Sequence, residues 1–98
     1  MSDSLSSTAN VEAAKPVAYM RQLCKHFGHK QEASFGDTTG EIRFEFGRCD
    51  LSAGDSVLTL VVTAEGGENL ERMERVIGSH LERFGRRDGL SVSWAARA

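Results

Sequence analysis

The chain predicts an α+β fold, a two-layer sandwich in which two helices cover one face of a mixed, mostly antiparallel sheet. Three observations predict it. Several short segments alternate apolar with polar residues, the period of half-buried strands, while two longer segments carry apolar residues at helical spacing. Their order is strand, helix, four strands, helix, strand. Two amphipathic helices on a sheet whose second face carries Glu, Arg, Ser and Thr bury one contiguous core.

The first seven residues, MSDSLSS, are small and polar with no buried period, so they are expected to form a flexible N-terminus ahead of a single domain over 8–98. In TANVEAA, Ala9, Val11 and Ala13 alternate against Thr8, Asn10 and Glu12, predicting the first strand. Pro16 suits a first helical position, where its missing N–H costs nothing, and Met20, Leu23, Cys24 and Phe27 follow at helical spacing. Gly28 and Gly85 each follow a helix and are expected to close it with positive φ.

After Gly28, HKQEASF places His29, Gln31, Ala33 and Phe35 on one side of a second strand. EIRFEF is the clearest strand pattern, with Ile42, Phe44 and Phe46 facing one way and Glu41, Arg43 and Glu45 the other. A short strand carries Cys49 and Leu51 inward, and VLTLVVTA is β-branched enough to lie centrally. Leu70, Met73, Val76, Ile77, Leu81 and Phe84 form the stripe of the second helix. LSVSWAA, with Leu90, Val92 and Trp94 on one side, predicts a last strand. The expected core gathers Leu23, Phe27, Ile42, Phe44, Leu60, Val62, Ile77, Leu81, Phe84 and Val92.

Composition narrows the functional classes. Twelve basic against 14 acidic residues provide no global field for nucleic acid. No apolar run reaches the roughly 18 residues of a membrane span, and the N-terminus has no signal-peptide pattern, so a cytoplasmic location is expected. Cys24 and Cys49 alone build no disulfide framework, and two free thiols suit a reducing compartment.

The segment QLCKHFGHK concentrates the chemistry: one cysteine, two histidines and two lysines around Gly28. A soft-metal site is one reading, but at ~100° per residue Cys24 and His26 point about 160° apart on a helix, and no CxxC or HxxxH pair supports them. No metal or cofactor is therefore expected, and Cys24 reads as a core residue. Lys25, His26 and Lys30 complement the negative end of the first helix dipole. His29 and His80 fall on buried margins near the ends of the two helices, where they could share a small polar pocket. LCKHFGHK and HLERFGRR both end a helix in Phe-Gly followed by two basic residues. If the helices run the same way, Lys25, Lys30, Arg86 and Arg87 form one basic edge able to meet a carboxylate or phosphate. His26, His29, Lys30, His80, Arg86 and Arg87 are thus the candidate ligand-binding residues; no catalytic pairing, GxSxG or P-loop is present.

YMRQLCKHFGHK, GRCDL, LERMERVIGSHLERF and LSVSW resemble the bacterial proteins numbered twenty-two eighteen among the domains of unknown function. The resemblance covers nearly the whole chain from about Thr8. It implies a stand-alone bacterial domain that in some relatives accompanies siderophore-interacting flavoproteins of iron uptake. This chain carries no flavin or nicotinamide motif, which limits such a role to that of an accessory. The first expectation is a non-enzymatic binding module, taking a small anionic ligand or an iron-uptake protein, monomeric or homodimeric. A small metal- or thiol-dependent enzyme and a self-associating structural domain are the alternatives.

Overall fold

The computed structural model describes residues 4–97. Its elements are β1 (Ser4–Glu12), α1 (Pro16–Phe27), β2 (Glu32–Phe35), β3 (Thr39–Phe44), β4 (Gly47–Ala53), β5 (Val57–Glu65), α2 (Gly67–Phe84) and β6 (Ala95–Arg97), with a 3-10 turn over Arg86–Asp88. The strands form one six-stranded sheet in the order β2-β3-β4-β5-β1-β6. Every pairing is antiparallel, so the parallel component expected of a mixed sheet is absent among the described residues. The strand-helix-strands-helix-strand order and the two-layer α+β architecture are those the sequence predicts.

Alternation decides which face of the sheet meets the helices. Ala9 and Val11 of β1, Ile42 of β3, Cys49 and Leu51 of β4, and Leu58, Leu60 and Val62 of β5 are buried against Met20, Leu23, Cys24 and Phe27 of α1 and Leu70, Met73, Ile77 and Leu81 of α2. The open face carries the intervening residues. There Glu41 lies opposite Asp50 and Arg43 opposite Arg48, a like-charge register offset by pairs running along and across the strands: Arg43 with Glu41 at 3.0 Å, Arg48 with Asp50 at 3.1 Å and Arg48 with Glu41 at 3.8 Å.

Several boundaries differ from the periodic reading. β1 begins at Ser4, paired with Glu65, so Ser4–Ser7, assigned to the terminus, extend the strand; Met1–Asp3 lie outside the described residues. Polar side chains hid this extension, because an antiparallel neighbour satisfies the backbone whatever the side chains are. β2 starts only at Glu32, and its Phe35 is 39% exposed. Leu90 to Trp94 form no strand. Val92 donates its N–H to the Glu82 carboxylate at 3.0 Å and Trp94 lies over Gly78, so this segment runs along α2 before β6 reaches the edge of β1. Of the expected core, Phe44, Phe84 and Val92 are only partly buried.

Neither helix ends in the left-handed region. Gly28 has φ −62° and ψ −14°, and Gly85 has φ −99° and ψ 20°; positive φ occurs instead at Gly66 and Gly89. Gly28 continues the helical path, its N–H bonded to the Cys24 carbonyl at 2.8 Å. Gly85 is needed for space rather than conformation: a Cβ there would collide with the buried Leu90 side chain. Gly47 meets a similar demand at the start of β4, where a Cβ would come within 2.6 Å of Met73 Cγ. This close approach seats α2 on the β3–β4 hairpin.

Candidate functional site

Contacts along the two helices show that they run in opposite directions. His26 and Phe27, at the end of α1, lie against His80, with ring centroids 5.0 and 4.8 Å away, and His26 also meets Phe84 at 5.4 Å. Further back on α1, the Tyr19 hydroxyl donates to the Asp88 carboxylate beyond the end of α2. Moving towards the start of α1 therefore moves towards the end of α2. The condition for a shared basic edge fails. The topology requires this, because β1 and β5 are antiparallel neighbours and each leads directly into a helix that folds back over the sheet.

The end of α1 shapes a groove. The Phe27 carbonyl accepts from both Lys30 N–H at 3.1 Å and Gln31 N–H at 2.7 Å, which turns the chain sharply and spends the backbone of His29 and Lys30 on the turn rather than on a strand. His29 is consequently exposed, and does not share the side of Ala33 as alternation predicts. Opposite this turn, β3 and β4 are joined by the two-residue loop Glu45–Phe46, which brings Phe44 and Phe46 together at 5.2 Å between centroids. α2 supplies Arg72, Val76 and His80. Together with His26, Phe27, His29, Lys30 and Gln31, these residues line a groove of about 440 Å³.

Four of the six candidate residues, His26, His29, Lys30 and His80, thus meet in one place. Arg86 and Arg87 do not line the groove; they are exposed in the 3-10 turn beside Asp88, near the Tyr19 end of α1. Reading the sequence alone missed Arg72, Phe44 and Phe46 as groove residues. The guanidinium of Arg72 stands 3.9 Å above the Phe46 ring, and no ion pair engages Arg72 or Lys30 among the described residues. The signal for Arg72 was present, one residue before the buried Met73, but the strand register alone gave no means of placing it beside Phe46.

The permanently charged residues lining the groove, Lys30 and Arg72, are both basic. Among the described residues, no carboxylate lines it. His80 Nδ1 lies 2.7 Å from the Val76 carbonyl, which can only accept, so Nδ1 carries a proton and Nε2 is the nitrogen left for another partner. Desolvation, reinforced by His80, His29 and Arg83, lowers the pKa of His26 below its ordinary value. An anion would relieve that repulsion. Larger hollows exist, of about 570 Å³ against the open sheet face and about 840 Å³ near Asp88, but their charged lining residues are acidic: Glu41 and Asp50 in the first, Glu12 and Asp88 in the second.

Both thiols lie elsewhere. Cys24 and Cys49 are buried and free, and burial pushes both thiol pKa values up. Cys24 Sγ is 3.9 Å from the Ser34 carbonyl, under the start of β3. Among the described residues, no group of three or more His, Cys, Asp and Glu side chains is arranged to hold a metal ion.

A protein-family model described as "Uncharacterized protein conserved in bacteria (DUF2218)" matches residues 8–95. The chain belongs to this family. Its fold is shared with a solved member of the bacterial proteome: the NMR structure of PA4090 from Pseudomonas aeruginosa superposes with a TM-score of 0.79 at 28% identity, covering 93% of this chain and 95% of that one. No curated protein matches the chain. For this DUF2218 domain, no helix is long and apolar enough to cross a membrane among the described residues.

Proposed function

We propose that this chain is a small, non-enzymatic binding module that takes an anionic ligand in the groove at the end of α1. The observation that carries the reading is the lining itself: Lys30, Arg72 and three imidazoles converge, with no carboxylate beside them among the described residues. Arg and Lys bind carboxylates and phosphates through charge-assisted hydrogen bonds, and protonated histidines add attraction at lower pH. Raised thiol pKa values argue against a thiol-dependent enzyme, because a thiolate is the reactive form. We place the module in the cytoplasm, where free buried thiols are stable. An accessory role in iron or siderophore handling rests on the family resemblance alone; the basic lining of the groove supports an anion without favouring that one.

The test is an NMR titration of the protein with inorganic phosphate and with citrate. Amide shifts are expected around His29, Lys30, Phe46 and Arg72, weakening as salt rises and as pH rises through the histidine range. Arg72→Ala should abolish them, whereas the double change Arg86→Ala and Arg87→Ala should leave them intact. Shifts centred on Arg86 and Arg87, or none at millimolar ligand, would overturn the reading. A competing reading, self-association, is favoured by Phe35 on the edge strand β2. A solution mass of twice the chain, lost in Phe35→Ser, would support it.

A further inference from the structure

An anion alone would use only part of this groove. Its floor is a continuous series of rings: His26 and His80 are 5.0 Å apart, His80 and Phe27 4.8 Å, Phe27 and Phe44 5.2 Å, and Phe44 and Phe46 5.2 Å between centroids. Arg72 closes the series with its guanidinium carbon 3.9 Å over the Phe46 ring. Phe44 and Phe46 are only partly buried, although each sits against the core. Both rings keep some exposed surface beside Lys30 and Arg72, which form no ion pair among the described residues, so a flat apolar group placed against them removes that surface from water.

The cations are placed to serve such a ligand. A guanidinium over a ring face still has N–H donors at its rim to meet a carboxylate. Lys30 lines the same groove, carried by the turn after α1. The volume, about 440 Å³, falls near the small end of the ~300–1,000 Å³ typical of ligand sites. We propose that the ligand is a small aromatic carboxylate, its ring against Phe44 and Phe46 and its carboxylate held between Arg72 and Lys30. This inference rests on the anion-binding reading of the same groove. Ring edges and faces attract one another through their quadrupoles, so an aromatic ring gains here what a saturated ring of the same size does not.

The experiment compares benzoate, cyclohexanecarboxylate and inorganic phosphate by NMR titration of the intact protein. Cyclohexanecarboxylate presents the same charge on a more hydrophobic ring, so simple apolar burial would favour it. Benzoate is expected to bind roughly threefold to tenfold more tightly, the range of an aromatic pair beyond its buried area. Phe46→Leu should erase that margin while phosphate still binds. Should Phe46→Leu disturb the hairpin, as amide dispersion would show, Phe44→Leu reads the same margin. Equal or tighter binding of cyclohexanecarboxylate overturns the aromatic proposal and leaves the anion-binding reading in place. Failure of all three ligands to bind removes both.

Discussion

The two Phe-Gly-basic endings look alike in sequence and fare differently in the fold. Phe27-Gly28-His29-Lys30 ends α1 against the middle of the α2 face, where its basic residues rim a groove with Arg72 and His80. Phe84-Gly85-Arg86-Arg87 ends α2 in a 3-10 turn, where Leu90 folds over Gly85 and Asp88 accepts from Tyr19. The first glycine continues a helix and the second makes room for a side chain. Similar local chemistry therefore gives a candidate site at one end and a structural clasp at the other, and the antiparallel order of the helices decides which is which.

The largest effect should separate the two phenylalanines. Phe27 is buried among His26, Phe44 and His80, so Phe27→Ala should lose roughly 3 to 5 kcal/mol, as full large-to-small core changes do. Phe84 is only partly buried, and Phe84→Ala should lose about 1 to 2 kcal/mol. Denaturant melts of the two variants measure the difference. Equal losses would mean that the two endings are packed alike.

The glycines come next. Gly85→Ala drives a methyl into the nearly buried Leu90, an overpacking that should cost roughly 1 to 3 kcal/mol. At Gly28 the φ is already helical, so alanine gains up to about 1 kcal/mol of helix propensity against a Cβ approach of 2.9 Å to the Cys24 carbonyl. Its net change should stay below about 1 kcal/mol. Thermal melts that rank the two the other way would contradict the distinction between a helical and a crowded glycine.

How much of this was legible follows from what each signal encodes. Alternation in EIRFEF and VLTLVVTA reports burial on one side, and burial is what sets those strands, so Ile42, Leu60 and Val62 are in the core as expected. The same signal is silent for Ser4–Ser7, which pair through the backbone, and misleading for LSVSW, where Val92 and Trp94 are covered by α2 rather than by a sheet neighbour. His26, His29, Lys30 and His80 were recognisable as unusual residues near helix ends. Arg72 and Phe46 were not, because their meeting depends on how α2 seats over Gly47, a contact between segments far apart in the chain. Helix direction, and with it the separation of Arg86 and Arg87 from Lys30, is a property of strand order that no local pattern contains.

A smaller effect tests the clasp. Tyr19→Phe removes the hydroxyl that donates to Asp88 and should cost about 0.5 to 1.5 kcal/mol, at the lower end because the pair is exposed. Anion shifts at the groove should persist in this variant. Loss of the groove shifts on cutting the clasp would show that the two ends are coupled rather than independent.

The smallest effect is a pH dependence confined to the histidine end. Burial, then His80, His29 and Arg83, lowers the pKa of His26 in the folded protein below its ordinary 6.5. The unfolded chain then binds a proton more readily than the folded one, so stability is constant well above that value and falls as pH drops through it. His26 is largely exposed, so the slope should be shallow. The charged neighbours that shift it are His80, His29 and Arg83, cationic or able to become so, and the other charged residues lining the groove among the described residues, Lys30 and Arg72, are basic as well. Melting temperature should therefore decrease slightly between pH about 7.5 and about 5.5, and less so in His26→Gln. Phosphate added at the acid end should restore part of the loss in the wild type, because an anion in the groove stabilises the protonated ring. A protein that becomes more stable over this acid interval without added anion would mean that His26 gains rather than loses affinity for its proton on folding, and the cationic groove would no longer account for its surroundings.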